Sequence, residues 1–479
     1  MRVGLVVLLT LAPAAAAVTS RYQRKAALGT PCDDLDGAAC GPGAGAAAAD
    51  GVEQVHVTGG SPFSAVVTFV SDALGDAPPT VVYGPDRAVA TGASATTSSL
   101  NWINAPVGAD GVALNFSRCG EPLAADQAYC ALGAYTNDSY YYASAPIHRV
   151  QLDGLAPSTT YAFEIPPSNA TFAFATPPAP AAGARLRVAL TADLGQTDDS
   201  LATMTHIKAA VDGGEADLVL FPGDLSYADG YGPRWDSYGR LSEFLFASVP
   251  AAYAPGNHEF GNGEGFAHYL ARYAPPAGPP AARAGGGLWH AFDAGPAHFV
   301  LLCAYCDTSP GSLQYRWLSA DLAAAAANRA TSPWIVAAWH APMYNSNTAH
   351  QREPSALRFQ ANFEPLFLEY GVDLCFAGHV HSYERTTPVA AGAPAKCAPV
   401  HVGIGDGGNR EGPAAAWLNE SETPAWSAFR EASFGHGLLD IRNATSARWT
   451  WYRNDDGDKQ AGDDVWIERC AGGGVNYAP

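Results

Sequence analysis

The sequence predicts two domains, an N-terminal all-β sandwich over residues 51–176 and a C-terminal layered α/β domain over residues 185–470. Three observations lead to this prediction. The first half contains short β-branched and aromatic runs separated by turn residues. The second half alternates compact apolar runs with helix-compatible segments. The length of 479 residues also exceeds that of one ordinary domain.

The predicted sandwich contains six strand-like runs. Residues 52–58 alternate between apolar and polar side chains, and residues 65–70 are rich in valine. The other runs lie at 80–83, 148–152, 160–165 and 170–176. The segment at 155–161 resembles the turn before the penultimate strand of fibronectin type III domains. A Pro/Ala linker follows at 177–184.

Five apolar strands of the α/β domain each end at a polar cluster. We predict strands at residues 186–190, 217–221, 250–254, 334–339 and 372–376, and helices at 201–211 and 314–328. The clusters are Asp193-Leu-Gly195, Gly223-Asp-Leu-Ser-Tyr227, Gly256-Asn-His-Glu259, Trp339-His340 and Gly378-His-Val-His381. Because sites in α/β sheets form at the carboxyl ends of strands, we expect these side chains to converge.

The converging side chains are metal ligands of two kinds. Asp224 is predicted to bridge two metal ions, because a carboxylate can offer one oxygen to each. Asp193, Tyr227 and a histidine favour a hard trivalent ion such as Fe(III), since a phenol ionises readily only beside a highly charged metal. Asn257, His340 and another histidine suit a divalent ion: zinc, manganese or ferrous iron. Paired metal ions are a recurring device for attacking phosphate esters.

Charge and the first residues restrict partners and location. The formal net charge of −19 argues against binding to nucleic acid. Residues 1–17 have the pattern of a secretory signal peptide, with Arg2 before an apolar run and small residues at 14–16; a buried strand is the alternative. An Ala/Gly-rich leader follows at 18–50, and no later stretch is apolar enough to span a membrane. We therefore expect a secreted, extracellular protein.

Glycosylation sites fit this expectation. Five Asn-x-Ser/Thr sequons occur, at Asn115, Asn137, Asn169, Asn419 and Asn443.

The last residues, 471–479, are expected to form a flexible tail.

The nine cysteines fit an oxidising compartment. Cys32 with Cys40 and Cys119 with Cys130 are plausible local disulfide bonds, and Cys303 and Cys306 are either structural thiols or a bridge. Because the count is odd, at least one thiol is free or pairs with a second chain. Cys397 and Cys470 are the candidates, and a homodimer stays open.

The five clusters, in this order, resemble the metal signature of the purple acid phosphatases, in the calcineurin-like metallophosphoesterase superfamily. The runs at 225–229, 232–236 and 429–437 are similar to those of the large plant-type members. The resemblance covers roughly residues 52–470. It implies a fibronectin type III-like sandwich followed by an α/β metallophosphoesterase domain, itself a layered β-sandwich flanked by helices.

The resemblance implies a role for each matching residue. Seven residues would hold the metals: Asp193, Tyr227 and His381 on Fe(III), Asn257, His340 and His379 on the divalent ion, and Asp224 between them. His258 and His350 resemble the outer-sphere histidines that protonate the leaving alcohol or hold phosphate oxygens, and Glu353 could orient His350. Ala349 stands where plant-type enzymes usually carry another histidine, so we expect a changed substrate preference or turnover.

The implied function is that of a secreted acid phosphatase. Small phosphate monoesters, and some anhydrides, would be hydrolysed by attack of a metal-bound hydroxide. Two alternatives are a phosphodiesterase with the same metals and a non-catalytic extracellular binding protein. The complete set of seven ligand positions disfavours the second alternative.

Overall fold

The computed structural model describes most of the chain beyond residue 50. The described residues are 18–19, 51–74, 77–85, 90–91, 94–98, 101–102, 142–230, 232–261, 263–277, 283–456 and 460–477. Several predicted features lie outside them: the signal peptide at 1–17, most of the leader at 18–50, the sequons at Asn115 and Asn137, and the cysteines Cys32, Cys40, Cys119 and Cys130.

The secondary structure of the described residues is dominated by short strands. The strands are β1 (Val18–Thr19), β2 (Glu53–Thr58), β3 (Ser64–Val70), β4 (Val82–Gly84), β5 (Ala90–Thr91), β6 (Ser94–Ser98), β7 (Asn101–Trp102), β8 (Tyr142–Ala143), β9 (Ile147–Asp153), β10 (Thr160–Glu164), β11 (Thr171–Ala175), β12 (Leu186–Leu190), β13 (Leu218–Phe221), β14 (Ala251–Tyr253), β15 (Arg283–Ala284), β16 (Trp289–Ala294), β17 (Ala297–Leu301), β18 (Trp334–Ala338), β19 (Leu374–Ala377), β20 (Tyr383–Thr386), β21 (Val389–Ala390), β22 (Ala393–Pro394), β23 (Val400–Ile404), β24 (Ser427–Glu431), β25 (Gly435–Ile441), β26 (Ser446–Arg453), β27 (Ala461–Arg469) and β28 (Val475–Tyr477). The helices are α1 (Asp198–Asp212), α2 (Pro233–Phe246), α3 (Asn257–Phe260), α4 (Ala267–Tyr273), α5 (Leu313–Ala327) and α6 (Pro354–Tyr370).

Two large sheets face each other in the C-terminal part of the chain. One has the strand order β1-β24-β20-β23-β19-β18-β17-β16-β15, and the other has the order β28-β27-β26-β25-β12-β13-β14-β2-β3-β9-β6. The segments β12-β13-β14 and β17-β18-β19-β23 are parallel. The parallel strands of both sheets therefore direct their carboxyl ends to a common edge, as the α/β prediction requires.

Alternate residues of the parallel strands are buried in two different hydrophobic cores. In β18, Trp334 and Val336 enter the core between the sheets, whereas Ile335 and Ala337 enter the core beneath the helices. Both sets are buried, which explains why this strand appears in the sequence as a continuous apolar run. The predicted α/β layers are thus confirmed.

The helix ends follow from local chemistry. Thr197 caps α1, where its side chain accepts a hydrogen bond from the Ser200 backbone, and Asp198 and Asp199 favour the positive end of the helix dipole. Ser312 caps α5 in the same way. Gly371 ends α6 with a φ of 71°, a conformation that glycine adopts without strain. None of the helices in the described part of the chain is long and apolar enough to cross a bilayer.

The N-terminal region forms two sheets around one core. The small sheet β11-β10-β4-β5 packs against the β2-β3-β9-β6 end of the eleven-stranded sheet. Val67, Val150, Phe163 and Phe174 are among the buried residues of this core. The sandwich does not stand apart from the α/β domain, because β2 pairs with β14 at Thr58 and Ala251.

Two predictions about the end of the chain are wrong. Cys397 and Cys470 are not unpaired: their Cα atoms lie 5.7 Å apart and their sulfurs form a disulfide bond. Among the described cysteines the free thiol is Cys375, which is buried. The expected flexible tail includes a strand, since β28 pairs with β27 and Val475 is buried in the core between the sheets.

Candidate metal centre

The polar clusters converge where the parallel strands end. Asp193 follows β12, Asp224 and Tyr227 follow β13, and Asn257 follows β14. On the facing sheet, His340 follows β18, and His379 and His381 follow β19. Six of these seven side chains are buried and Asn257 is half-buried. The expected convergence of the seven residues therefore occurs.

Several of these residues occupy the left-handed region of backbone conformation. The φ values are 56° for Asp193, 55° for Asp224, 52° for Tyr227 and 73° for His379. Non-glycine residues adopt this region at an energetic cost, and they cluster at functional sites where the surroundings hold them.

Glu259 holds the strained loop around Asp224. Its Oε2 accepts hydrogen bonds from the backbone amides of Asp224 and Gly256, both at 2.8 Å. Its Oε1 accepts from the Leu225 amide at 2.8 Å. Glu259 is fully buried, and burial raises its pKa to about 7. One side chain thus connects the loops that follow β13 and β14.

Asp193, Tyr227 and His381 form a compact group. The Tyr227 hydroxyl lies 3.0 Å from Asp193 Oδ1 and 2.9 Å from His381 Nε2. Asp193 Oδ2 accepts a hydrogen bond from the His379 amide at 2.8 Å. Burial and the charges of Asp193 and Asp224 raise the pKa of Tyr227 well above its usual value, so only a strong cation would remove its proton.

Asp224 and His340 face each other across the gap between the sheets. Asp224 Oδ2 and His340 Nε2 form a buried ion pair at 2.9 Å, and neither atom has a further hydrogen-bond partner within the described part of the chain. His340 Nδ1 lies 2.9 Å from the Pro222 carbonyl, which leaves Nε2 directed at the carboxylate. Buried charged groups whose remaining hydrogen-bonding capacity is unmet are costly, and a cation bound by both atoms would be their missing partner. The donor set thus fits a metal ion.

The surroundings favour an ionised Asp224 carboxylate and a protonated His340 imidazole. Burial opposes ionisation of Asp224, but His340 and His258 hold the pKa of its carboxyl well below its usual range. Burial also opposes protonation of His340, but Asp224 and Asp193 raise its pKa to about 9. Burial lowers the pKa of His379 to about 4, so its imidazole is neutral even in mildly acidic solution.

Asn257 lies beside the same histidines. Its Oδ1 accepts a hydrogen bond from the Tyr305 hydroxyl at 3.1 Å. The Tyr305 ring lies 6.0 Å from the ring of His340 and 6.4 Å from that of His379, measured between centroids. A group of carboxylate and imidazole ligand atoms from Asp224, His340 and His379 lies within 4.8 Å of one another.

Glycines allow the loops that follow the parallel strands to lie close to the carboxylates of the centre. A Cβ atom on Gly256 would lie 2.0 Å from Asp224 Oδ1, and one on Gly378 would lie 2.3 Å from Asp193 Oδ2. Any other residue at either position would displace a carboxylate of the centre.

His258 is held at the edge of the group by a carboxylate. Its Nδ1 lies 2.5 Å from Asp229 Oδ1, and its Nε2 lies 3.8 Å from Asp224 Oδ2. Arg410 binds the other oxygen of Asp229 and donates to the Tyr227 carbonyl at 2.7 Å. The Nε2 atom of His258 thus lies between Asp224 Oδ2 and Glu411 Oε1, 3.8 Å from each.

His350 and Glu353 form the opposite edge. Glu353 Oε2 lies 2.8 Å from His379 Nε2, and Glu353 Oε1 lies 2.5 Å from His350 Nδ1. The His350 side chain is 36% exposed, so it faces the solvent side of the centre. Burial opposes ionisation of Glu353, but the two histidines hold its pKa well below the usual range. Glu353 contacts His350 as expected and also contacts His379.

Sequence reasoning missed four residues that support the centre: Glu259, Asp229, Tyr305 and Arg410. Glu259 and Asp229 are the last residues of the runs at 256–259 and 225–229, so their positions within these motifs could have identified them. Tyr305 lies between Cys303 and Cys306, whose spacing indicates thiol or disulfide chemistry rather than a metal centre. Nothing in the sequence linked Arg410 to Asp229, which lies 181 positions earlier.

Comparison with known families agrees with this geometry. Residues 186–383 match the family model described as calcineurin-like phosphoesterase, and residues 398–464 match that of iron/zinc purple acid phosphatase-like protein C. Among solved structures, that of purple acid phosphatase PPD1 from yellow lupin seeds has a TM-score of 0.70 and 22% sequence identity. The match covers 88% of this chain and 75% of that one, and it shows a common fold.

Curated plant proteins are similar over most of their length. The chain is 39% identical over 343 residues to probable purple acid phosphatase 20 of Arabidopsis thaliana, covering 69% of this chain and 77% of that protein. It is 40% identical over 361 residues to purple acid phosphatase 1 of Ipomoea batatas, covering 70% and 74%. The chain is therefore a phosphatase that belongs to the purple acid phosphatases, a metallophosphoesterase family whose membership implies a dinuclear metal centre.

Proposed function

We propose that this phosphatase hydrolyses small phosphate monoesters, and some anhydrides, at a centre of Fe(III) and a divalent ion (zinc, manganese or iron). The single observation that carries the proposal is the buried 2.9 Å approach of Asp224 Oδ2 to His340 Nε2, with no further hydrogen-bond partner for either atom within the described residues. Bound there, two cations would supply an activated water nucleophile and neutralise charge on the phosphoryl group.

Asp193, Tyr227 and His381 are proposed to hold Fe(III). The phenol lies within 3.0 Å of Asp193 and 2.9 Å of His381, so all three can share one cation. Because burial raises the pKa of Tyr227 well above 10, a trivalent ion is better suited than a divalent one to keep it ionised.

Asn257, His340 and His379 are proposed to hold the divalent ion, with Asp224 between the two metals. The three side chains are neutral donors once the cation displaces the proton from His340 Nε2 into solvent. Their softer, less charged character suits zinc, manganese or ferrous iron.

His258, His350 and Glu353 are proposed to act on the substrate. His258 Nδ1 contacts Asp229, which leaves Nε2 to hold a phosphate oxygen or to give a proton to the leaving alcohol. On the other side, His350 reaches solvent while its Nδ1 is held by Glu353. The two histidines thus flank the centre from opposite edges.

The test is the visible absorption spectrum of the purified protein. We expect a broad violet-to-purple band from phenolate bound to Fe(III), and its loss in Tyr227→Phe. A colourless protein with stoichiometric metal would contradict the ferric assignment. Rates on a phosphate monoester and the matching diester, measured side by side, distinguish the proposed activity from that of a phosphodiesterase.

We also propose that the protein is secreted and glycosylated. The N-terminal residues have the pattern of a signal peptide, and the sequon residues Asn169, Asn419 and Asn443 are exposed. N-terminal sequencing of protein secreted by a eukaryotic host should begin near residue 18, and an N-glycosidase should reduce the apparent mass. Retention of an intact N-terminus inside the cell would contradict the proposal.

A further inference from the structure

The loop after β17 places one aromatic side chain against the metal centre. We propose that Tyr305 in this loop is a positioning residue, which orients the side-chain amide of Asn257 so that its oxygen faces the divalent ion. The inference rests on the proposed role of Asn257 as a metal ligand and deepens it.

The hydrogen bond between Tyr305 and Asn257 has a defined donor and acceptor. The Tyr305 hydroxyl donates to Asn257 Oδ1 at 3.1 Å, and Tyr305 is 7% exposed. A carbonyl oxygen has two lone pairs, so Oδ1 can accept from the phenol and still bind a cation. The amide nitrogen of asparagine is a donor and cannot bind the cation, and the phenol oxygen is a better donor than acceptor. The hydrogen bond therefore favours the rotamer in which the oxygen, not the nitrogen, belongs to the centre.

The Tyr305 ring also restricts the neighbouring ligands. Its centroid lies 6.0 Å from that of His340 and 6.4 Å from that of His379. These are the two histidines proposed for the same divalent ion. Tyr305 thus lies against all three neutral ligands proposed for that ion.

The backbone that carries Tyr305 is anchored on both sides. A disulfide bond joins Cys303 to Cys306, with 5.5 Å between their Cα atoms. Gln314 of α5, which is fully buried, accepts a hydrogen bond from the Cys303 amide at 2.8 Å and donates to the Cys303 carbonyl at 3.0 Å. The Cys-Ala-Tyr-Cys run therefore closes the loop that presents the phenol, which gives this motif a role in ligand orientation.

The experiment compares metal affinities in the purified enzyme. Tyr305→Phe keeps the ring and removes only the hydroxyl. Zinc-loaded protein is dialysed against graded concentrations of a chelator, retained zinc is measured by mass spectrometry, and the ferric band is recorded in the same samples. We expect zinc affinity about 10–100-fold weaker than in the wild type, as for other partners of metal ligands, with the ferric band unchanged.

A matched control is available in the N-terminal sandwich. Tyr161 of β10 is also 7% exposed, and its hydroxyl accepts a hydrogen bond from the Ala156 amide at 2.8 Å. Tyr161→Phe should leave the zinc affinity at the wild-type value. Equal weakening in both variants would overturn the proposal, because the effect would then reflect general loosening of the fold.

Asn257→Ala separates this inference from the proposed function. If Asn257→Ala loses zinc while Tyr305→Phe binds it like the wild type, Asn257 is a ligand and the positioning role of Tyr305 is wrong. If Asn257→Ala also keeps its zinc, the ligand assignment itself is wrong. Loss of the ferric band together with zinc in Tyr305→Phe would likewise contradict a role confined to the divalent ion.

Discussion

The carboxylate of Glu353 binds the imidazole of His379, with 2.8 Å between Oε2 and Nε2. The same carboxylate reaches His350, and the two imidazole rings lie 3.8 Å apart between centroids. One acidic side chain thus couples a proposed metal ligand to a proposed substrate-binding group.

Glu353→Gln should lower kcat by about 10-fold or more. Glutamine has only one acceptor oxygen, so it can orient His379 or His350 but not both. Steady-state kinetics on a phosphate monoester would measure the change. Glu364→Gln is the control, because Glu364 lies in helix α6, which Glu353 immediately precedes, and accepts from the Ala391 amide at 2.9 Å, outside the centre. Equal kcat values for the two variants would contradict the prediction.

Asp229→Asn should lower kcat about 10-fold, and His258→Ala should lower it by about 100-fold or more. Asp229 acts through His258, whose Nδ1 it contacts at 2.5 Å, so the double variant should be no slower than His258→Ala alone. Values of kcat and kcat/KM for the three variants test this. Multiplication of the two losses in the double variant would show that Asp229 acts independently of His258.

Glu259→Ala should destabilise the protein by about 3 kcal/mol or more, because it leaves three buried backbone amides without their acceptor. Urea denaturation of metal-depleted protein would separate this loss from any loss of metal binding. Glu369→Ala, on the exposed surface of α6, should change the free energy of unfolding by less than about 0.5 kcal/mol. Wild-type stability of Glu259→Ala would contradict the supporting role of this carboxylate.

The ion pairs of His298 should make stability depend on pH. His298 Nδ1 and Nε2 lie 2.8 Å from Asp293 and 2.9 Å from Asp321. Burial opposes protonation, but the two aspartates raise the pKa of His298 from 6.5 to about 9. A raised pKa means that the folded state binds the proton more tightly, so the stabilisation is complete below pH 6.5 and is lost as pH rises through 9.

His298→Gln should therefore cost on the order of 2 kcal/mol at pH 6, after allowance for the partial exposure of Asp293. The difference from wild type should shrink steadily toward pH 9 and above. Thermal unfolding of both proteins across this range gives the measurement. A difference that does not change with pH would mean that packing, not charge, accounts for the loss.

Much of the centre could be predicted because each candidate ligand lies within six residues of the end of an apolar strand. Parallel strands of one sheet bring their ends together whatever the loops do, so Asp193 and Asp224 had to converge once β12 and β13 paired. His340 follows β18 of the other sheet, and it joins them because the two sheets pack face to face. The partners that hold the ligands could not be predicted in this way. Glu259 reaches the amide of Asp224 across 35 positions, and Arg410 reaches Asp229 across 181. Such contacts depend on how loops from different strands pack, which local patterns do not encode.

Contacts between residues far apart in the sequence also explain the two wrong predictions near the C-terminus, the unpaired cysteine and the flexible tail. Cys397 and Cys470 are 73 positions apart, and only the pairing of β28 with β27 brings that end of the chain against the sheet. Val475 is a short apolar residue in a glycine-rich segment, and its burial in the core was not visible from its neighbours.

The shared sheet has a consequence for the N-terminal region. Beside the pairing of Thr58 with Ala251, the Gly59 amide donates to the Ala251 carbonyl at 2.9 Å, and Glu53 forms an ion pair with Arg240 of α2 at 2.8 Å. A fragment that began at the linker would leave β14 as an open sheet edge, ready to recruit a strand from another molecule. The sandwich therefore covers this sheet edge of the catalytic half, and we expect a fragment without it to self-associate through β14.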